Sequence, residues 1–208
     1  MDMAVKDKLS RRKRQELLKV LTYEKVKGKP IYYRGYREVL KGELNPEAVM
    51  GSGELHAILL FLIGKFLMDS LGENYIVLGG ELGFFTSPNS FRSLDVAVYR
   101  KEDMKNPADG YTKKPPLVVV EIDTKADLSR YSSFEEYMYE KTGDLLKAGV
   151  QKVIWYITKV RKVLIAEAEK DWITTDWDRD IEVLEGVRLN LKELLNREGI
   201  EVRWEQLP

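Results

Sequence analysis

The chain has 208 residues, 44% of them hydrophobic and 10% aromatic, and carries 34 basic against 34 acidic residues. This composition suits one folded domain with a sizeable core and excludes collagen-like or wholly disordered chains, and the balanced charge leaves any anionic partner to a local patch rather than to bulk attraction. With no cysteine and one histidine, disulfides, thiolate metal sites and cysteine nucleophiles are excluded, and a Ser-His-Asp hydrolase would rest on His56 with no Gly-x-Ser-x-Gly elbow to present its serine.

In chain order, the run Arg11-Arg12-Lys13-Arg14 is followed by no apolar stretch, so residues 1–31 read as a basic helix or phosphate-contacting arm rather than a secretory signal, with a cytoplasmic location by default. Residues 32–208 read as a single domain. Tyr32 to Leu40 and Glu43 to Leu44, flanking Lys41-Gly42, suggest a hairpin. Leu55 to Met68 is the most apolar stretch, yet it contains Lys65 and falls short of the roughly 20 residues that span a bilayer. Ser52 as cap, Glu54 in the first turn and Gly72 beyond the end predict a helix there, apolar almost all round and so packed on more than one side.

Strand-like runs follow at Tyr75 to Leu78, Leu82 to Thr86, Leu94 to Tyr99 and Leu117 to Asp123, separated by Gly79-Gly80, Ser87-Pro88-Asn89 and Lys114-Pro115-Pro116. A helix from Phe134 to Ala148, stopped by Gly149, leads into strands at Val153 to Ile157, Val163 to Ala168 and Ile181 to Leu184, and a helix at Leu191 to Leu195 closes the chain. The order predicts an α/β (α+β) domain on a mixed sheet.

Two strands carry acids where a core belongs. Asp95 stands in Leu94-Asp95-Val96-Ala97-Val98, and Glu121 and Asp123 end the most hydrophobic strand of the chain. An unpaired buried carboxylate costs several kcal/mol, so such groups are neutralised, paired or bound to a cation. Strand alternation aligns Val119, Glu121, Asp123 and Lys125 on one face. Two acids and an amine in a row are material for a divalent-cation site, and Mg²⁺ often takes only one or two carboxylates beside water and phosphate. On the second long helix, Phe134, Met138, Lys141, Leu145 and Ala148 form a core-facing stripe in which Lys141 is the one charge. It either snorkels outward or points at the acids on the sheet.

His56 on an early helix, Asp95 after Arg92-Ser93-Leu94, Glu121 after Leu117-Val118-Val119-Val120, and Lys141 followed by Lys147-Ala148-Gly149-Val150 and Val153-Ile154-Trp155-Tyr156 together resemble the Uma2 (putative restriction endonuclease) family, within the PD-(D/E)xK nuclease-fold superfamily. The resemblance spans roughly Tyr33 to Leu195. It implies a restriction-endonuclease-like fold and a metal-dependent endonuclease, with Mg²⁺ or Mn²⁺ held by Asp95, Glu121 and the backbone carbonyl of Ile122. Leu94 stands where the motif proline is expected and Asp123 where the motif lysine is expected, so the amine falls to Lys141, as the family's lysine position suggests, or to Lys125.

Glu54, His56 and Arg92 are second-tier candidates, the arginine as a phosphate contact, and Tyr131, Tyr137 and Tyr139 offer stacking faces. The implied partner is nucleic acid, in the first place DNA, with a homodimer admitted and no membrane. A catalytically inactive nuclease-fold module that binds nucleic acid or protein is the rival reading.

Overall fold

The computed structural model describes residues 10–202, so the first nine residues of the expected arm lie outside the described residues. The basic run opens α1 (Arg11–Val20), capped by the Ser10 side chain. The arm expected over 1–31 is, from residue 22 on, part of the sheet. β1 (Thr22–Val26) and β2 (Lys29–Tyr32) form a hairpin with Val26 opposite Lys29. Its two loop residues, Lys27 and Gly28, both have positive φ (49° and 78°), as a two-residue primed turn requires.

The hairpin expected around Lys41-Gly42 does not form. α2 (Tyr36–Leu40) occupies that segment, followed by α3 (Pro46–Met50). The same Lys-Gly pair here stops a helix, with Gly42 at φ 74°, because glycine supplies the left-handed conformation to either structure.

α4 (Glu54–Leu71) is the expected apolar helix, ended by Gly72 at φ 75°. Gly53, not Ser52, stands at its N-cap. The helix buries one face, with Leu59, Leu62, Ile63 and Leu67 inside, while Phe61 and Met68 are exposed, so the expectation of packing on several sides fails.

β3 (Tyr75–Ser87) joins the two runs expected on either side of Gly79-Gly80 into one strand. Its register with β4 (Ser90–Arg100) runs from Gly79↔Val96 to Leu82↔Leu94. Gly80 and Glu81, both at positive φ, thus oppose Asp95 alone, so the pair read as a turn is a β-bulge. β5 (Val118–Ile122) pairs antiparallel with β4 and parallel with β6 (Lys152–Ile157). The connection between those two parallel strands is α5 (Phe134–Lys147), capped by Ser133 and stopped at Gly149.

β7 (Lys162–Glu167) and β8 (Ile173–Asp176) complete a mixed sheet ordered β2-β1-β4-β5-β6-β7-β8, with β3 on the other edge of β4. β9 (Ile181–Leu184) and β10 (Val187–Leu189) pair apart from it, before α6 (Leu191–Arg197).

One core lies on each face of the sheet. Val96, Val98, Val118, Val120 and Ile122 pack under α4 and α6. Leu94, Ala97, Val119 and Trp155 pack under α5 through Tyr137, Met138 and Leu145.

Candidate active site

The acids gather where β4 changes neighbours. On the edge away from β3, β4 pairs with β5 through Val96↔Val120, Ala97↔Val119 and Val98↔Val118, and with β1 at Phe91↔Lys25. Between these two contacts side chains replace the ladder. The Ile122 N–H donates to Asp95 Oδ2 (2.8 Å), the Ser93 N–H donates to Glu24 Oε1 (3.1 Å), and the Ser93 carbonyl accepts from Lys141 Nζ (2.6 Å). Backbone groups at such a gap must find partners, and here carboxylates and an amine supply them.

Lys141 reaches inward from α5 and is fully buried. Its amine meets Glu121 Oε2 at 2.8 Å and Glu24 Oε1 at 3.0 Å in addition to the Ser93 carbonyl. Three acceptors match the three N–H groups of an ammonium. Burial alone would lower the lysine pKa, but Glu121 and Glu24 overcome it and hold the amine well above its ordinary value. At Glu121 burial acts in the opposite sense. It drives that carboxyl well above the ordinary range, Lys141 offsets only part of the rise, and Asp95 and Glu24 add to it.

Glu121 Oε1 is buried with no hydrogen-bond partner, and so is His56 Nε2, which lies 3.4 Å from Asp95 Oδ1. The structure therefore brings Asp95, Glu121, Lys141 and His56 together, with Ile122 tied to Asp95.

The remaining candidates lie elsewhere. β5 ends at Ile122, and Asp123 takes the left-handed conformation (φ 49°), which breaks the alternation expected to align Glu121, Asp123 and Lys125. The Asp123 carboxylate instead accepts the Thr158 N–H (2.9 Å) and hydroxyl (2.6 Å). Lys125 bonds Ser52 Oγ (2.9 Å) and Glu81, whose other oxygen accepts the Tyr33 hydroxyl (2.7 Å). Glu54 is exposed on the first turn of α4.

Arg92 is not a phosphate contact. It is wholly buried, bonded to Glu24 Oε2 (2.8 Å), Glu140 Oε1 (3.0 Å) and Asp144 Oδ2 (2.6 Å). Nor is Tyr137 a stacking platform, because it is fully buried with its hydroxyl donating to Glu24. Tyr131 bonds Glu140, and Tyr139 is half-exposed but stacked on Trp172.

Glu24 was missed by sequence reasoning because Thr22 to Val26 did not register as a strand. The signal was weak: a short β-like run before a Lys-Gly loop, with Lys25 next to Glu24, so that the acid did not stand in apolar company as Asp95 does. Glu81 gave no comparable signal, since a bulge residue looks like part of a turn.

Among the described residues no three acids or histidines converge as a metal cage. The donors do fit a hard cation that keeps most of its water: a buried carboxylate oxygen without a partner on Glu121 and the Asp95 carboxylate beside it.

A family model described as Uma2, putative restriction endonuclease, matches residues 36–196. Among solved structures, a putative nuclease from Anabaena variabilis superposes with a TM-score of 0.57 at 16% identity, over 83% of this chain and 89% of that one. No curated protein matches. No helix among the described residues is long and apolar enough to cross a membrane. The fold is of the restriction-endonuclease type, a mixed sheet flanked by helices, and family and fold point to a nuclease. On the match over residues 36–196, the chain belongs to the Uma2 (putative restriction endonuclease) family.

Proposed function

We propose that the protein is a metal-dependent endonuclease that hydrolyses phosphodiester bonds of nucleic acid, DNA in the first place. The observation that carries this reading is Glu121, a buried carboxylate with one oxygen on Lys141 and the other without a partner. Asp95, Glu121 and the Ile122 carbonyl would hold Mg²⁺ or Mn²⁺. Such an ion supplies positive charge to a phosphoryl oxygen and lowers the pKa of water.

The chain's own residues do the rest. Asp95 is fixed by the Ile122 N–H, so its second oxygen is presented toward His56 rather than rotating freely. Lys141 keeps a positive charge beside Glu121 and is the residue assigned to orient the attacking water or balance transition-state charge. Lys125, in the loop between β5 and α5 and bonded to Glu81 and Ser52, is assigned the lesser part of a contact to the substrate backbone.

A second reading, a nuclease-fold binding module without catalysis, is favoured by one observation. All three N–H groups of Lys141 are engaged inside the protein, so the amine must give up a partner before it can act on substrate. Calorimetry with Mn²⁺ on wild type, Asp95→Ala and Glu121→Ala, with cleavage of plasmid DNA, single-stranded DNA and RNA, tests the choice. Binding lost in both variants together with cleavage by wild type supports the enzyme. Cleavage of none of the three substrates in Mg²⁺ or Mn²⁺ supports the module.

A further inference from the structure

We propose that Glu24 is a positioning residue for Lys141, holding its ammonium group against Glu121, and that it belongs to the machinery of the site although it precedes the segment matched by the family model. The catalytic half of this inference rests on the nuclease reading above.

Glu24 lies on β1 and is fully buried. Each of its oxygens has two donors. Oε1 takes Lys141 Nζ at 3.0 Å and the Ser93 N–H at 3.1 Å, and Oε2 takes Arg92 Nη1 at 2.8 Å and the Tyr137 hydroxyl at 3.1 Å. The carboxylate cannot rotate without breaking bonds to two other elements, β4 and α5, so its position is set by β1, β4 and α5 together.

Two cations meet this one acid, and they are not equivalent. Arg92 also contacts Glu140 and Asp144, both partly exposed, so its charge is shared outward toward solvent. Lys141 has no such outlet. Its other contacts are Glu121 and the Ser93 carbonyl, and its amine lies 5.4 Å from the Trp155 ring centre and 6.0 Å from that of Tyr23. A lysine in that enclosure is a poor core residue unless its charge is wanted at Glu121. Glu24 is the fixed pole opposite Glu121 that keeps the amine there. A positioning shell of this kind maintains reactive geometry without touching substrate.

The family model begins at residue 36 and β1 ends at Val26, so the hairpin completes the site from outside the matched segment.

The test uses the full chain labelled with ¹⁵N-lysine. In wild type, Lys141 is expected to give a slowly exchanging ammonium signal, identified by its loss in Lys141→Arg. In Glu24→Gln that signal is expected to disappear through rapid exchange, while Mn²⁺ affinity stays within about two-fold, the DNA KM stays within about two-fold and kcat falls at least about ten-fold. Glu24→Asp keeps the charge on a shorter stem, so it should recover part of both the signal and kcat.

An unchanged Lys141 signal in Glu24→Gln, or Asp and Gln variants that behave alike, overturns the proposal. If Glu24→Gln does not fold, the comparison of Glu24→Asp with wild type decides by the same signal. If wild type cleaves nothing, the nuclease reading fails, and the ammonium signal still decides whether Glu24 holds Lys141.

Discussion

Asp95 on β4 accepts the Ile122 N–H of β5 at 2.8 Å, two residues beyond the last paired residue of that ladder. The side chain thus performs a structural task at the same place where it presents its other oxygen to the site. Asp95→Ala leaves a buried N–H without an acceptor, which is expected to cost about 1–3 kcal/mol. Asp95→Asn retains an acceptor and should cost less. Both should abolish Mn²⁺ binding. Urea unfolding alongside calorimetry separates the two effects, and Mn²⁺ binding retained by Asp95→Asn would count against the site.

Lys141→Ala strips the cation from two buried acids, Glu24 and Glu121. Removing one partner of a buried pair costs about 3–5 kcal/mol, so a marked loss of stability is expected, with cleavage of DNA abolished. Lys125 pairs with Glu81 near the surface, and Lys125→Ala should cost about 1 kcal/mol or less and reduce cleavage much less. The reverse order in a cleavage assay would transfer the catalytic amine to Lys125.

Arg92→Met removes the shared partner of Glu24, Glu140 and Asp144. The expected result is a loss of about 3–5 kcal/mol. For the folded fraction, DNA affinity and its salt dependence should be unchanged, because the guanidinium never reaches a phosphate. A reduced salt slope in a binding titration would restore Arg92 to the substrate surface.

Acid should act on this network with a definite sign. Burial raises the Glu24 carboxyl, but Lys141 and Arg92 more than compensate, leaving it below its ordinary 4.5. A carboxyl depressed in the folded state contributes stability that is fully present above the unfolded value and is lost as pH falls through the folded value. The difference in unfolding free energy between wild type and Glu24→Gln should therefore be constant above about pH 5 and narrow below it. Urea melts from pH 3 to 7 check this, and a gap that widens in acid would show that Glu24 is not held ionised.

The parts of the fold that sequence made legible are those specified locally. α4 and α5 were found from their glycine stops and apolar spacing, and β5 from a run of valines. Asp95, Glu121 and Lys141 stood out because each is a charge in apolar company, and the structure brings the three together. The alignment of Asp123 and Lys125 failed because one left-handed residue ends the strand alternation, and nothing in Asp123 itself announces that. Gly79-Gly80 was ambiguous for a physical reason: a positive φ serves a turn and a bulge equally well. Glu24 escaped because its partners come from β4 and α5, far along the chain.

That distance has a consequence for how the protein is made. Glu24 and Tyr137 are 113 residues apart, so during synthesis Glu24 lacks two of its four donors, Tyr137 and Lys141, until α5 has been made. Loop closure of this length is slow compared with forming the hairpin itself. The charge cluster thus cannot close before α5 exists, and a nascent chain stopped before α5 has none of the lysine's geometry.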